Sequence, residues 1–394
     1  MTAIRPPATR RRPRPIDPPA IPFINRELSL LDLNARVLHE AADERNPLLE
    51  RVRFLSIVSG ILDEFFQIRV AGLKQQVEAG HSKLGPDGRS AAETLSEARR
   101  KVLDLIVEHT LAFNRIREAM AEQGINIVRY DERPERHLEL RRMFIDQIFP
   151  VLTPLAVDPG HPFPYISDLS LSLAVTVRDP ETGERDFARI KVPEVLPRMV
   201  EVGVRTYMLL EQIIAANLDA LFPGMEIVEH HLFRVTRNAD LAIEEDEADD
   251  LLLAIEEELR RRRFGDAVRL EVERSMPTET RSILRRGLGI GPEDVYEISG
   301  MLDLRALDTI ADLEIPELLR APWHPVVPAR LLPHDEDEEA DVFAAIRAGD
   351  LLVHHPYESF VGSVQRFVEQ AASDPDVLTI KMTLYRTSGD SPIV

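Results

Sequence analysis

The residues with the clearest chemical potential lie near the carboxyl end. In Lys381-Met-Thr-Leu-Tyr-Arg386 the apolar residues Leu378, Ile380, Met382 and Leu384 share one side of an expected strand, and Arg386 continues that parity at its carboxyl end. Open α/β sheets bind ligands outside the carboxyl ends of their strands. A guanidinium there, beside the N-terminus of an incoming helix at Ser391-Pro392, is suited to clamp a phosphate. A surface arginine that merely ends a strand fits the same position. His354-His355 offers a nucleophile that could accept a phosphoryl group, although packed or solvent-facing histidines are the blander account. His230-His231 cannot chelate one ion, because neighbours along a strand point to opposite faces.

Two further stretches are polar where packing alone would not ask for it. Leu62-Asp63-Glu64-Phe65-Phe66 sets two acids beside aromatics within a helix, and Phe233–Leu241 interleaves charges with strand residues. Carboxylates this close are a weak acid/base signal, and an inter-domain salt bridge is the expectation for both stretches. Gly287-Leu-Gly289-Ile-Gly291 follows a helix and not a strand, so it reads as a cap and turn. There is no Gly-x-x-x-x-Gly-Lys loop, no Gly-x-Ser-x-Gly elbow and no His-Glu-x-x-His helix.

The elements that must position these groups divide the chain into four parts. Residues 1–21 are Pro-rich, carry five arginines and only one acid, Asp17, and read as a disordered basic tail. Residues 22–124 are helical. Asn46-Pro47 is expected to start a second helix, with Asn as N-cap and a loosened point near Gly60, and Ser90 to start a long third one. Residues 125–322 form an α+β region. Its expected pieces are a short strand at 125–130, helix at 134–155, strands at 169–177, 187–192, 228–241 and 268–272, and helices at 207–222, 246–263 and 277–288. Residues 323–394 read as strand 351–355, a helix through Phe360–Ala371 and strand 377–386, the beginning of a parallel α/β sheet. One such unit cannot cover both faces of its sheet, so the expectation is a chain that stops inside a larger domain.

Composition narrows the class. The 394 residues carry 48 Lys+Arg against 68 Asp+Glu, a formal charge of −20, with 44% hydrophobic and 29% charged residues. That is the balance of a water-soluble globular chain, without the basic face that wholesale nucleic-acid or membrane binding needs. No apolar run reaches the ~20 residues of a membrane span. The absence of cysteine excludes disulfides and thiol chemistry. With no secretory leader pattern at the start, the expected location is the cytoplasm.

Seven motifs occur in order: Phe23-Ile-Asn-Arg-Glu-Leu-Ser29, Asn46–Leu55, Leu62-Asp-Glu-Phe-Phe66, His161-Pro-Phe-Pro-Tyr-Ile-Ser167, Phe233–Leu241, His354-His-Pro-Tyr-Glu-Ser-Phe360 and Lys381–Arg386. Together they closely resemble the polyphosphate kinase family that builds long-chain polyphosphate from ATP. The resemblance implies a multidomain α+β fold: an N-terminal helical bundle, an α+β head domain and the start of a phospholipase-D-like α/β domain. It implies reversible transfer of the ATP γ-phosphate to polyphosphate through a phosphohistidine, with magnesium, in a homo-oligomer formed through the head domain. Arg386 matches the family arginine of the magnesium–nucleotide phosphate site, where its physical role is to neutralise phosphate oxygens. Ile61 stands where the family has an asparagine that contacts the nucleotide base, and isoleucine cannot hydrogen-bond a base. The family's reactive histidine lies beyond Val394, so the implied fragment lacks its nucleophile. The other reading is a non-catalytic module that oligomerises or binds polyphosphate.

Overall fold

The computed structural model describes residues 23–81, 83–157, 163–239, 265–332, 341–383 and 391–393. The chain falls into two units, Met1–Leu319 and Arg320–Val394.

In the first unit α1 (Arg26–Ala42) opens where Asn25 accepts the Leu28 amide at 3.0 Å, satisfying one of the helix's free amides. Helix α2 (Leu48–Glu64) begins one turn-residue later than expected. Pro47 is extended and is itself the N-cap, and the Asn46 side chain instead donates to the Glu40 carbonyl at 2.9 Å. The rod then runs without a break through a π-helical turn, Phe65–Val70, into α3 (Ala71–Glu78). The irregularity therefore falls five residues after Gly60. Helix α4 (Ala91–Glu122) starts at a capping box, with the Ser90 hydroxyl accepting the Glu93 amide at 3.2 Å and the Ser90 amide reaching Glu93 at 2.8 Å. Leucines, valines and Phe113 from α1, α2 and α4 close a core that also takes in Tyr207, Tyr296 and Leu307 from later in the chain.

The rest of this unit carries β1 (Asn126–Val128), α5 (His137–Met143), β2 (Leu155–Val157), β3 (Leu171–Arg178), β4 (Arg185–Lys191), β5 (Met199–Gly203) and β6 (Thr206–Leu209). There follow α6 (Leu210–Ala215), α7 (Leu218–Leu221), β7 (Glu226–Arg237), β8 (Ala267–Glu273), α8 (Thr278–Leu288) and β9 (Val295–Ile298). A small sheet has the order β1-β6-β5, and a larger one β2-β4-β3-β7-β8-β9, antiparallel except for β8 with β9. One face of the large sheet packs Leu173, Val175 and Ile190 with Phe144 and Ile213; the other packs Phe187, Phe233 and Leu270 with Leu284 of α8. The cap-and-turn reading of the glycines holds at Gly289, which ends α8 at φ 69°, a backbone state that favours glycine.

Two expectations are corrected here, and a third is untested. The helix expected over 207–222 begins at Leu210, because Thr206–Leu209 pairs with both β1 and β5 and is buried along its whole length. The helical stretch from Pro134 ends at Val151, after Pro150, and Leu155–Val157 is a strand paired to β4. The helix expected over 246–263 lies outside the described residues.

In the second unit α9 (Val342–Arg347) and α10 (Arg366–Ser373) pack through Phe343 and Phe367, 5.6 Å apart edge to face, and a π-helical turn, Val361–Gln365, leads into α10. The strands expected at 351–355 and 377–386 are not formed among the described residues. Leu352 and Leu378 are 91% and 95% exposed, and no described strand offers them the paired backbone and two-sided cover that a parallel strand requires. Among the described residues of this unit the one ladder contact is a parallel bridge, Val326 with Glu358. Among the described residues no helix is long and apolar enough to cross a membrane.

Candidate functional site

Asp63 faces inward from the last turn of α2 and meets the large sheet. Its two oxygens accept from Arg234 of β7 at 2.7 and 2.5 Å, a bidentate pair, and it also accepts from Arg269 of β8. Arg234 turns a second bond to Glu271 at 3.0 Å, while Arg269 donates to Thr236 at 2.9 Å and lies over the Phe66 ring at 4.4 Å. Asp303 approaches Arg234 at 3.6 Å and links it to Arg198, whose guanidinium holds Glu211 at 2.7 Å. Both sheet arginines are 1% exposed. Burial alone would raise the Asp63 carboxyl; the charges and hydrogen bonds of Arg234 and Arg269 outweigh it and hold the group at about 2. The cluster's charges are matched by partners, so it fastens the bundle to the sheet. This is the salt bridge expected of the Leu62–Phe66 and Phe233–Leu241 stretches; Glu64, by contrast, is exposed.

The π-helical turn contributes a second fastening. It carries an Ala71 amide bonded to the Phe66 carbonyl, five residues back. The Gln67 carbonyl in this turn accepts from the Ala239 amide at 3.0 Å, and the Gln67 side chain donates to Asp168 at 2.6 Å. Asp168 accepts the Arg237 amide at 2.7 Å, and the Arg237 side chain reaches the Ile166 and Gly265 carbonyls at 2.6 and 2.7 Å beneath Tyr165. Three motif stretches, Leu62–Phe66, His161–Ser167 and Phe233–Leu241, thus converge on one junction.

Beside the π-helical turn lies a cleft of about 560 Å³, walled by Phe65, Phe66, Lys74, Arg99, Gly291 and Tyr296. Its cations are engaged: Lys74 bonds Asp294 at 2.7 Å, and Arg99 lies over the Tyr296 ring at 4.9 Å.

The individually predicted residues are scattered. Ile61 is half-buried on α2, two residues before Asp63 and so roughly 160° around the helix from it. Arg386 lies outside the described residues, as does His161. His354 and His355 are exposed; the His355 Nδ1–H donates to the Glu358 carbonyl at 3.0 Å and His354 packs edge-on against Tyr357. His231 sits between Glu229 and Glu273, at 3.6 and 3.7 Å. Among the described residues no group of three or more His, Asp or Glu side chains is placed to hold a metal. Sequence reading missed Gln67 and Asp168, which carry no motif chemistry of their own, and Arg189, whose inward parity on β4 was the available signal.

Profiles of the polyphosphate kinase N-terminal, middle and first C-terminal domains match residues 23–128, 135–310 and 341–394, in that order. The chain belongs to the polyphosphate kinase family. The polyphosphate kinase of Synechocystis sp. is 54% identical over 398 residues, covering 94% of this chain and 55% of that protein. That of Streptomyces coelicolor is 52% identical, covering 94% and 50%. A crystal structure of polyphosphate kinase from Porphyromonas gingivalis superposes with a TM-score of 0.77 at 29% identity, over 95% of this chain and 53% of that one. The chain spans about half the length of the curated family members it matches.

Proposed function

We propose that these residues are the scaffold half of an ATP–polyphosphate phosphotransferase, which moves the ATP γ-phosphate reversibly onto polyphosphate. The observation that carries this reading is the ordered match of three polyphosphate kinase domains along one chain. The geometry is consistent with a scaffold role, because the best-built polar clusters are neutralised fastenings. In this reading Arg386 neutralises nucleotide phosphate oxygens and the Ile61 face of α2 stands towards the base, where it packs without hydrogen-bonding. The phosphate passes through a phosphohistidine that is not among the eleven histidines of this chain. Magnesium would serve to neutralise the nucleotide phosphates. Among the described residues no group of three or more His, Asp or Glu side chains is placed to hold it. Self-association through the head region, 125–322, and a cytoplasmic location belong to the same proposal.

The test is ATP-to-polyphosphate synthesis, run in parallel on this chain and on a longer polyphosphate kinase reading frame that contains it, with acid-labile phosphate on histidine as second readout. Labelling and synthesis by the longer protein alone support the proposal. Labelling of the 394-residue chain would place a nucleophile within it, with His354 and His355 first for substitution. No labelling in either would favour a non-catalytic binding module.

A further inference from the structure

Strand β4 alternates in the usual way: Ala188 and Ile190 are buried on one side, and Phe187, Arg189 and Lys191 face the other. Arg189 pairs across the sheet with Ala174 of β3 and Leu155 of β2, two side chains that carry no charge. It is 6% exposed. Its Nε donates to the Ser172 hydroxyl at 3.1 Å, and Ser172 is fully buried. Its Nη2 is buried with no hydrogen-bond partner, and no carboxylate lies within ion-pair distance of it among the described residues.

Arg234 and Arg269 each hold at least one carboxylate, and the Arg237 guanidinium donates to two backbone carbonyls; the Arg189 Nη2 has neither among the described residues. A guanidinium does not escape burial by losing its proton at neutral pH, so an unpaired one is strongly destabilising. Burial is the single influence on it, pulling it down to about 10. The carboxylate on the same face, Glu229 across β3, accepts from Thr280 at 3.0 Å and stands 3.6 Å from His231. Lys191, two residues along on the Arg189 side, pairs only with the exposed Glu194, at 2.8 Å.

We propose that Arg189 and Ser172, with Lys191 at the rim, form an oxyanion site of the phosphate class on the head sheet. The planar guanidinium presents parallel donors, the buried hydroxyl adds another, and the lysine adds charge at the entrance; a tetrahedral anion with several oxygens satisfies this set. The bound anion supplies the missing counter-charge. The inference concerns β3 and β4 alone and stands whether or not the phosphotransferase reading does. The same chemistry is offered by free inorganic phosphate and by the terminal phosphate of a longer chain.

The experiment is thermal unfolding of wild type and Arg189→Met, each titrated with inorganic phosphate, with tripolyphosphate and with potassium chloride at matched ionic strength. Wild type is expected to show a saturable rise in midpoint of about 3 °C that chloride does not reproduce. R189M should lose that saturable component and unfold at a higher midpoint than wild type without added anion. Equal responses to the two phosphates identify free phosphate as the ligand. A response to tripolyphosphate at about tenfold lower concentration identifies a chain terminus. An R189M response equal to that of wild type overturns the proposal. If R189M does not fold, wild-type crystals soaked in selenate decide: an anomalous peak within hydrogen-bond distance of Arg189 supports the site. An empty position, or a carboxylate from another segment or copy seated on the guanidinium, overturns it.

Discussion

Asp63 and Arg234, 171 residues apart in sequence, form a bidentate pair buried between the helical bundle and the sheet. Replacing Asp63 by Asn keeps the shape but leaves Arg234 and Arg269 short of one negative charge. The expected cost is about 3–5 kcal/mol, measured by urea denaturation, whereas Glu64→Gln on the exposed side should stay within about 0.5 kcal/mol. Because the folded carboxyl is held at about 2 against an ordinary 3.8, its contribution is complete above pH 3.8 and disappears as pH falls towards 2. D63N should flatten that acid limb.

His109 is buried in α4, and its Nε2–H donates to the Leu55 carbonyl at 2.9 Å. Burial pulls its pKa down to about 4, with the hydrogen bond opposing. The folded state therefore prefers the neutral ring. Stability is full above pH 6.5 and falls by roughly 3 kcal/mol as pH drops to about 4. Urea midpoints across that range should show the slope in wild type and lose it in His109→Gln.

Asn34 is fully buried in α1, and neither polar atom of its side chain has a hydrogen-bond partner. An unsatisfied amide costs about 1–3 kcal/mol. Asn34→Leu, similar in size and without that penalty, should raise the thermal midpoint. A drop would mean that the amide holds a buried water.

In a longer reading frame, Arg386→Lys keeps the charge but loses the planar fork. The proposed role on nucleotide phosphates predicts a fall of about 100-fold in polyphosphate synthesis, with an unchanged thermal midpoint. Activity within twofold of wild type would remove Arg386 from the site.

The legible parts of this molecule are those written in local chemistry. Asn25 and the Ser90–Glu93 box mark helix starts, Gly289 marks a stop, and strands β3, β4 and β8 alternate as their residues do. Asp63 was legible as an ion-pair former, since two acids among aromatics need partners. The π-helical turn was not, because nothing in Phe65–Val70 distinguishes it from ordinary helix until Ala239 and Asp168 arrive to bond it. Thr206–Leu209 was misread for a similar reason: its apolar run suits a helix, and two neighbouring strands decide otherwise. The strand expected at 351–355, and residues 377–383 of the one expected at 377–386, do not form, because their apolar pattern specifies a buried setting that the described residues do not provide. For Arg189, parity shows which way it faces but not that no acid awaits it.

The π-helical turn adds one residue to the rod from Leu48 to Glu78. The stretch before it presents Asp63 to the sheet arginines while the stretch after it presents Lys74 to Asp294. Removing one residue between Phe65 and Val70 would let the turn close into ordinary helix, so the stretches on either side would face much as they do now. What would go is the widened turn from which the Gln67 carbonyl meets the Ala239 amide and the Gln67 side chain meets Asp168. The extra residue therefore serves the contact with the sheet and not the straightness of the rod.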